Sequence, residues 1–263
     1  MIDGNTRIMG VIGDPVAQVR TPEAINPIFA AKGANIQCIP LHISANNLAT
    51  AFAGLKALET IIGFGVTLPH KQNVLPLCDS LDPVAVEVGA VNVVRREADG
   101  SFRGYQFDGL GFVRGLRAAG HNPAGRTCLI IGAGGAARAI VRALLDAGAA
   151  QVRITNRTTE KAKALAEATA DDRVSAGPPR PASGDLVINA TSLGMSASDP
   201  LPIDPDLIDT TMTVAEVVAK PEFTRLLTEA RARRAVVHSG LHMIHHQVDL
   251  IATHMLELYG AAD

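Results

Sequence analysis

One glycine-rich turn and five polar turns hold most of the residues of this chain that could do chemistry. Leu129-Ile130-Ile131-Gly132-Ala133-Gly134-Gly135-Ala136-Ala137-Arg138 reads as an apolar strand running through glycines into a helix. Bare backbone at Gly132, Gly134 and Gly135 would let a pyrophosphate approach the positive N-terminus of the helix that Ala136 enters, which predicts a dinucleotide site. At the end of the next strand, where a carboxylate would hold a ribose 2′-hydroxyl, stand Asn156, Arg157 and Thr158. A guanidinium among amide and hydroxyl groups suits a 2′-phosphate, so charge selects NADP, with NAD as the alternative. Lys71 follows Val66-Thr67-Leu68-Pro69-His70, and Gly89-Ala90-Val91-Asn92 and Gly104-Tyr105-Gln106-Phe107-Asp108-Gly109 are two further strand-to-turn segments. A surface lysine is ordinarily just solvated. In company with these turns, Lys71 and Asp108 could share the proton that hydride transfer to a ketone requires. Asn189-Ala190-Thr191 ends another strand at a carboxyl edge, where open α/β sheets bind ligands. His238, His242, His245 and His246 cluster near the last helix, but the segment lacks the glutamate of HExxH and no third ligand is evident. They are read as helix-surface residues, and no metal is expected.

The elements that must position these residues alternate. Strands at Arg7 to Ile12, Ile36 to Leu41 and Ile61 to Thr67 enclose helices starting at Pro22 and Leu48, in the order βαβαβ. Thr21-Pro22 suggests a hydroxyl cap on the first helix, and Pro27 a kink within it. Strands at Thr127 to Ile131, Val152 to Thr155, Asp185 to Asn189 and Met212 to Val217 form a second series with helices near Ala136 to Leu145 and Thr159 to Ala166. The fold class is α/β: an N-terminal α/β substrate-binding domain over residues 1–106 and a C-terminal Rossmann-type nucleotide-binding domain over 107–239, with a cleft between them. A last helix at about 240–263 packs back on the first domain, with Leu241, Ile244, Val248, Ile251, Met255 and Leu258 along one apolar face.

Composition narrows the function classes. Among 263 residues, 24 basic and 26 acidic side chains give a net charge of -2 without a Lys/Arg block, which excludes an electrostatic nucleic-acid binder. No long uncharged apolar run suggests a membrane span, and the first residues lack the pattern of a secretory leader, so a cytoplasmic protein is expected. Cys38, Cys78 and Cys128 show no CxxC spacing and read as buried thiols. The expected partner is a small hydroxy acid, and a monomer or a homodimer fits equally.

With these segments in view, the chain from about Gly10 to Tyr259 resembles the shikimate dehydrogenase family. The resemblance rests on Gly13-Asp14-Pro15, Val66 through Lys71, Gly89 through Asn92, Asp108-Gly109, Gly132 through Ala136, Asn156 through Thr158, Asn189 through Thr191, and Gly240-Leu241-His242-Met243 with Gln247, all in the family's order. It implies reversible NADP-linked reduction of 3-dehydroshikimate to shikimate. Lys71 and Asp108 would be the catalytic pair, Asn92 and Gln247 would bind ring hydroxyls, and Thr67 would also face substrate. Thr191, Gly240 and Met243 would join the cofactor side. The departures lie around the substrate. Val19 and Thr21 occupy the two hydroxyl positions of the family's carboxylate clamp, and losing one such bond costs about 1.5 to 3 kcal/mol. Phe107 replaces a hydroxyl residue, Gly65 an asparagine and Ala219 a tyrosine. A related substrate such as quinate, an aminoshikimate or a cyclic alcohol is therefore the alternative. A non-catalytic nucleotide sensor is a second, against which the intact Lys71 and Asp108 argue.

Overall fold

The computed structural model describes residues 2–260. It divides into two compact units, Met1–Phe107 with Gln247–Asp263, and Asp108–His246. Phe107 thus groups with the first unit, and the second division falls inside the final helix rather than ahead of it. Of the residues assigned above to that helix, 261–263 lie outside the described residues.

The first unit contains β1 (Arg7–Gly13), α1 (Thr21–Ala31), β2 (Ile36–His42), α2 (Leu48–Ala57), β3 (Ile61–Val66), β4 (Ser80–Leu81), α3 (Pro83–Val88), β5 (Val93–Arg96) and β6 (Phe102–Tyr105). Its sheet runs β2-β1-β3-β5-β6-β4. β1 pairs in parallel with β2 and β3, whereas β5 is antiparallel to both β3 and β6, so the expected βαβαβ series is extended into a mixed sheet. Every residue of β3 is buried, as a strand covered on both faces requires. Phe52, Phe64 and Phe102 meet edge to face with centroids 5.3 to 5.7 Å apart and centre the core. Gly63, at φ +151°, brings β3 so close to β5 that a methyl group there would stand 2.2 Å from the Val94 carbonyl oxygen.

One local expectation fails in α1. Arg20 occupies the cap position without a side-chain capping bond, so Pro22 at the first turn, rather than a Thr21 hydroxyl, starts the helix. The helix continues through Pro27 to Ala31.

The second unit contains α4 (Asp108–Ala118), β7 (Thr127–Ile131), α5 (Gly135–Asp146), β8 (Gln151–Thr155), α6 (Thr159–Thr169), β9 (Val174–Ala176), β10 (Leu186–Asn189), β11 (Thr213–Glu216), α7 (Arg225–Ala232), β12 (Val236–His238) and the start of α8 (Gly240–Tyr259). The sheet is parallel throughout, ordered β12-β11-β10-β7-β8-β9. Chain direction across the sheet reverses between β7 and β10, the switch point at which such sheets bind ligands. Leu129, Ile130, Val187 and Ile188 are buried there.

The apolar face expected of α8 is only partly core. Val248, Ile251, Ala252 and Met255 are buried, Leu241 and Ile244 are half-buried, and Leu258 is exposed because the covered stripe ends a turn earlier. No helix among the described residues is long and apolar enough to cross a membrane.

Candidate active site

In the first unit, the turn after β3 is pinned from several sides. Val66 N donates to Asn92 O at 2.7 Å, Thr67 N to Ile12 O at 2.9 Å and Val91 N to the Lys71 carbonyl at 2.8 Å. His70 is fully buried, and its Nε2–H donates to Ile43 O at 2.7 Å, since a carbonyl can only accept. Thr67 and Lys71 are half-buried on this fixed turn. Gly13 packs closely on this turn, because a methyl group there would stand 2.5 Å from Thr67 Cγ2 and one of the two would have to shift.

Asn92 is buried, and its Oδ1 accepts from Phe107 N at 2.7 Å. Phe107 lies parallel to Tyr105, with centroids 6.1 Å apart, and edge-on to His254 at 5.3 Å. His254 Nδ1 and its carbonyl oxygen accept from Arg95 Nη1, and Arg95 also pairs with Glu97 and Glu257. This Arg95, Glu97, Tyr105 and His254 group was not foreseen. Its Tyr105 and His254 rings pack on Phe107, and an arginine at a buried position of β5 was the available signal. Val19 and Thr21 are half-buried, and Arg20 between them pairs with Glu23 rather than turning inward. Gln247, on α8, belongs to this unit.

In the second unit Asp108 opens α4 and is 1% exposed. Its position follows from direct backbone packing: a methyl group on the next residue, Gly109, would lie 2.0 Å from Ala139 O of α5.

The glycine turn fits a pyrophosphate. Gly132 adopts φ +118°, Gly134 caps α5, and a methyl group at Gly134 would meet no atom within 4 Å. Gly135 and Ala136 form the first turn of α5, where backbone N–H groups have no helical partner. Thr191, after β10, packs on this turn, its Cγ2 lying 3.1 Å from where a Gly132 Cβ would stand. Beyond β8, Asn156 Nδ2 donates to Thr158 O at 2.9 Å, which shapes the turn, while Arg157 is exposed and makes no ion pair among the described residues. Gly240 passes against Val218, whose carbonyl oxygen would be 2.4 Å from a side chain there. Met243 is buried in the core of this unit.

The histidines are not all on a helix surface. His238 ends β12, is 1% exposed, and stacks on His242 at 4.4 Å with Phe112 and His121 edge-on. Neither ring nitrogen has a partner, and the described residues contain no group able to hold a metal. Burial first, then the neighbouring His242, His121 and His246, push the His238 pKa from 6.5 down to about 3. The unfolded chain therefore takes up this proton from pH 6.5 downward while the folded one refuses it, so stability is full above pH 6.5 and falls toward pH 3. The melting temperature of His238→Phe should drop less than that of wild type between pH 7 and pH 4. Parallel curves would discard this account.

The chain is similar to known proteins over most of its length. The family model described as shikimate dehydrogenase substrate binding domain matches residues 11–94, and that described as shikimate / quinate 5-dehydrogenase matches residues 117–193. The shikimate dehydrogenase (NADP(+)) of Rubrobacter xylanophilus is 42% identical over 242 residues, covering 89% of this chain and 85% of that protein. The shikimate 5-dehydrogenase of Thermus thermophilus, solved with NADP(H) and shikimate, superposes with a TM-score of 0.86 at 31% identity over 96% of this chain and 94% of its own. The ligand-free 5-ketofructose reductase of a Gluconobacter strain gives 0.82 at 32% identity, covering 98% and 94%.

Proposed function

Since the chain belongs to the shikimate dehydrogenase family, we propose that it catalyses the reversible NADPH-dependent reduction of 3-dehydroshikimate to shikimate. The observation that carries this reading is the pairing of two sets of groups on one chain: a fixed polar cluster holding Lys71 and Asn92, and a parallel sheet whose glycine turn lies at the switch point.

Gly132, Gly134, Gly135 and Ala136 would receive the pyrophosphate, Asn156, Arg157 and Thr158 the 2′-phosphate, and Thr191, Gly240 and Met243 would line the same side. NADPH, when bound, supplies the hydride to the carbonyl carbon. Lys71 would deliver a proton from Nζ to the carbonyl oxygen, and the Asp108 carboxylate would accept a hydrogen bond from the hydroxyl formed. Asn92 and Gln247 bind ring hydroxyls, with Thr67 beside them. Exclusion of water around the reacting carbon falls in part to Phe107, whose ring Tyr105 and His254 hold in place.

A second reading, a polyhydroxylated ketone without a carboxylate, is favoured by Val19 and by the engagement of Arg20 with Glu23, which leave Thr21 as the one hydroxyl of that segment. The likeness to 5-ketofructose reductase supports it. Steady-state oxidation of shikimate and quinate with NADP and with NAD separates the two. On the first reading wild type turns over shikimate with NADP, and Val19→Ser lowers the KM for shikimate by about tenfold, the worth of one restored bond to a charged acceptor. Absence of turnover with either acid, alongside NADPH-driven reduction of a neutral polyhydroxylated ketone, would overturn it in favour of the second.

A further inference from the structure

Glu216 has no part in the reaction above, yet it ends β11 fully buried and makes no ion pair among the described residues. Neutral donors alone meet its carboxylate: Asn189 Nδ2 reaches Oε1 at 2.8 Å and Thr224 Oγ1 reaches Oε2 at 2.6 Å. A carboxylate buried without a cation is costly, and burial pushes its pKa up. An apolar side chain would fill the place without that cost, so the two hydrogen bonds are what needs explaining.

They lead to the glycine turn. Asn189 uses all four of its hydrogen-bonding positions: Nδ2 donates to Glu216 and to Leu193 O, while Oδ1 accepts from Thr191 N at 3.1 Å and Thr191 Oγ1 at 2.6 Å. With Nδ2 held by Glu216, the amide cannot flip, and Oδ1 must face Thr191. Thr191 Oγ1 accepts from Leu193 N at 3.1 Å, and its methyl group packs where Gly132 lacks a side chain. We propose that Glu216 is a positioning residue for the dinucleotide: through Asn189 it holds Thr191 against Gly132 and so sets the affinity of the glycine turn for the pyrophosphate. This rests on reading that turn as the NADP site.

The test measures NADPH affinity by fluorescence titration, KM for NADP and for shikimate, kcat, and melting temperature. Glu216→Gln can keep its carbonyl oxygen on Asn189 and turn its amide to the Thr224 hydroxyl, which rotates to accept, so the connections survive without the charge. Glu216→Ala removes one of the four hydrogen bonds that hold Asn189. Leu165→Ala, buried in α6 of the same unit, is the control for general destabilisation. Glu216→Ala is expected to weaken NADPH binding and raise the NADP KM by about tenfold, the worth of a hydrogen bond to a charged group. Glu216→Gln stays within about threefold of wild type, and kcat and the shikimate KM move less than about twofold in both, because the reacting groups are untouched.

A Glu216→Ala protein that melts early like Leu165→Ala but binds NADPH as wild type does overturns the proposal, as does a Gln variant as weak as the Ala one. Should Glu216→Ala not fold, Thr191→Val, on a half-buried turn, carries the test with the same expected loss, and unchanged affinity there overturns the proposal. A wild type that binds no NADPH removes the cofactor reading itself, a result distinct from unaltered binding by the variants alone.

Discussion

Lys71→Ala will lose about two to four orders of magnitude in kcat, the usual worth of a positioned general acid, while its affinity for NADPH stays at the wild-type value. The two readouts separate because the lysine sits on the pinned turn after β3, whereas Gly132 and Arg157 belong to the other unit. The fold should tolerate the change: Lys71 is half-buried, and it is the backbone carbonyl that ties the turn to Val91 N. Circular dichroism and melting temperature close to wild type would establish that the protein measured is folded. A Lys71→Ala enzyme retaining more than about a tenth of wild-type kcat would show that another group delivers the proton, because a lost general acid costs at least about a hundredfold.

Arg157→Ala is expected to raise the KM for NADP by about ten- to a hundredfold and to leave the KM for NAD within about twofold, since only NADP carries the 2′-phosphate that the guanidinium is proposed to pair with. Arg157 is exposed and has no carboxylate partner among the described residues, so its removal exposes no buried charge and should not unfold the unit. Exposure also means screening: the discrimination should shrink between about 0.05 and 0.5 M salt as the Debye length falls below the separation of the charges. Arg157→Asp should go further, because a carboxylate repels the phosphate while accepting from a ribose hydroxyl. Equal loss for NADP and NAD would move the role of Arg157 from recognition of the 2′-phosphate to the shape of the turn that Asn156 and Thr158 close.

The nucleotide half was the more legible because its signals are local. An apolar strand that ends in glycines and restarts as a helix leaves few alternatives, and β7, Gly132 and α5 stand where that pattern put them. β5 and β6 were legible only as turns. They are four residues each, Arg95, Arg96 and Arg103 interrupt their apolar pattern, and their order is fixed by the pairing of β5 with β3 across some thirty residues of chain and of β6 with β5. The same limit hid Glu216 and His238. A polar residue near the end of a short strand carries no local sign of burial, and only the packing of other elements over it makes it a buried acceptor or a buried ring. Leu258 erred in the other direction, since periodicity cannot say where the surface that a helix covers comes to an end.

Because the first unit draws on two separate stretches of sequence, its last residues leave the ribosome only after all of Asp108–His246 has been made. The nucleotide-binding unit is one uninterrupted stretch, so during synthesis it can close first, although it begins second. Val248, Ile251, Ala252 and Met255 then arrive late to a sheet that has been waiting for them, with the end of Met255 settling about where Gly63 leaves room. Until they do, the nascent chain carries an uncovered apolar surface on its older half, and that interval is when a chaperone has something to hold.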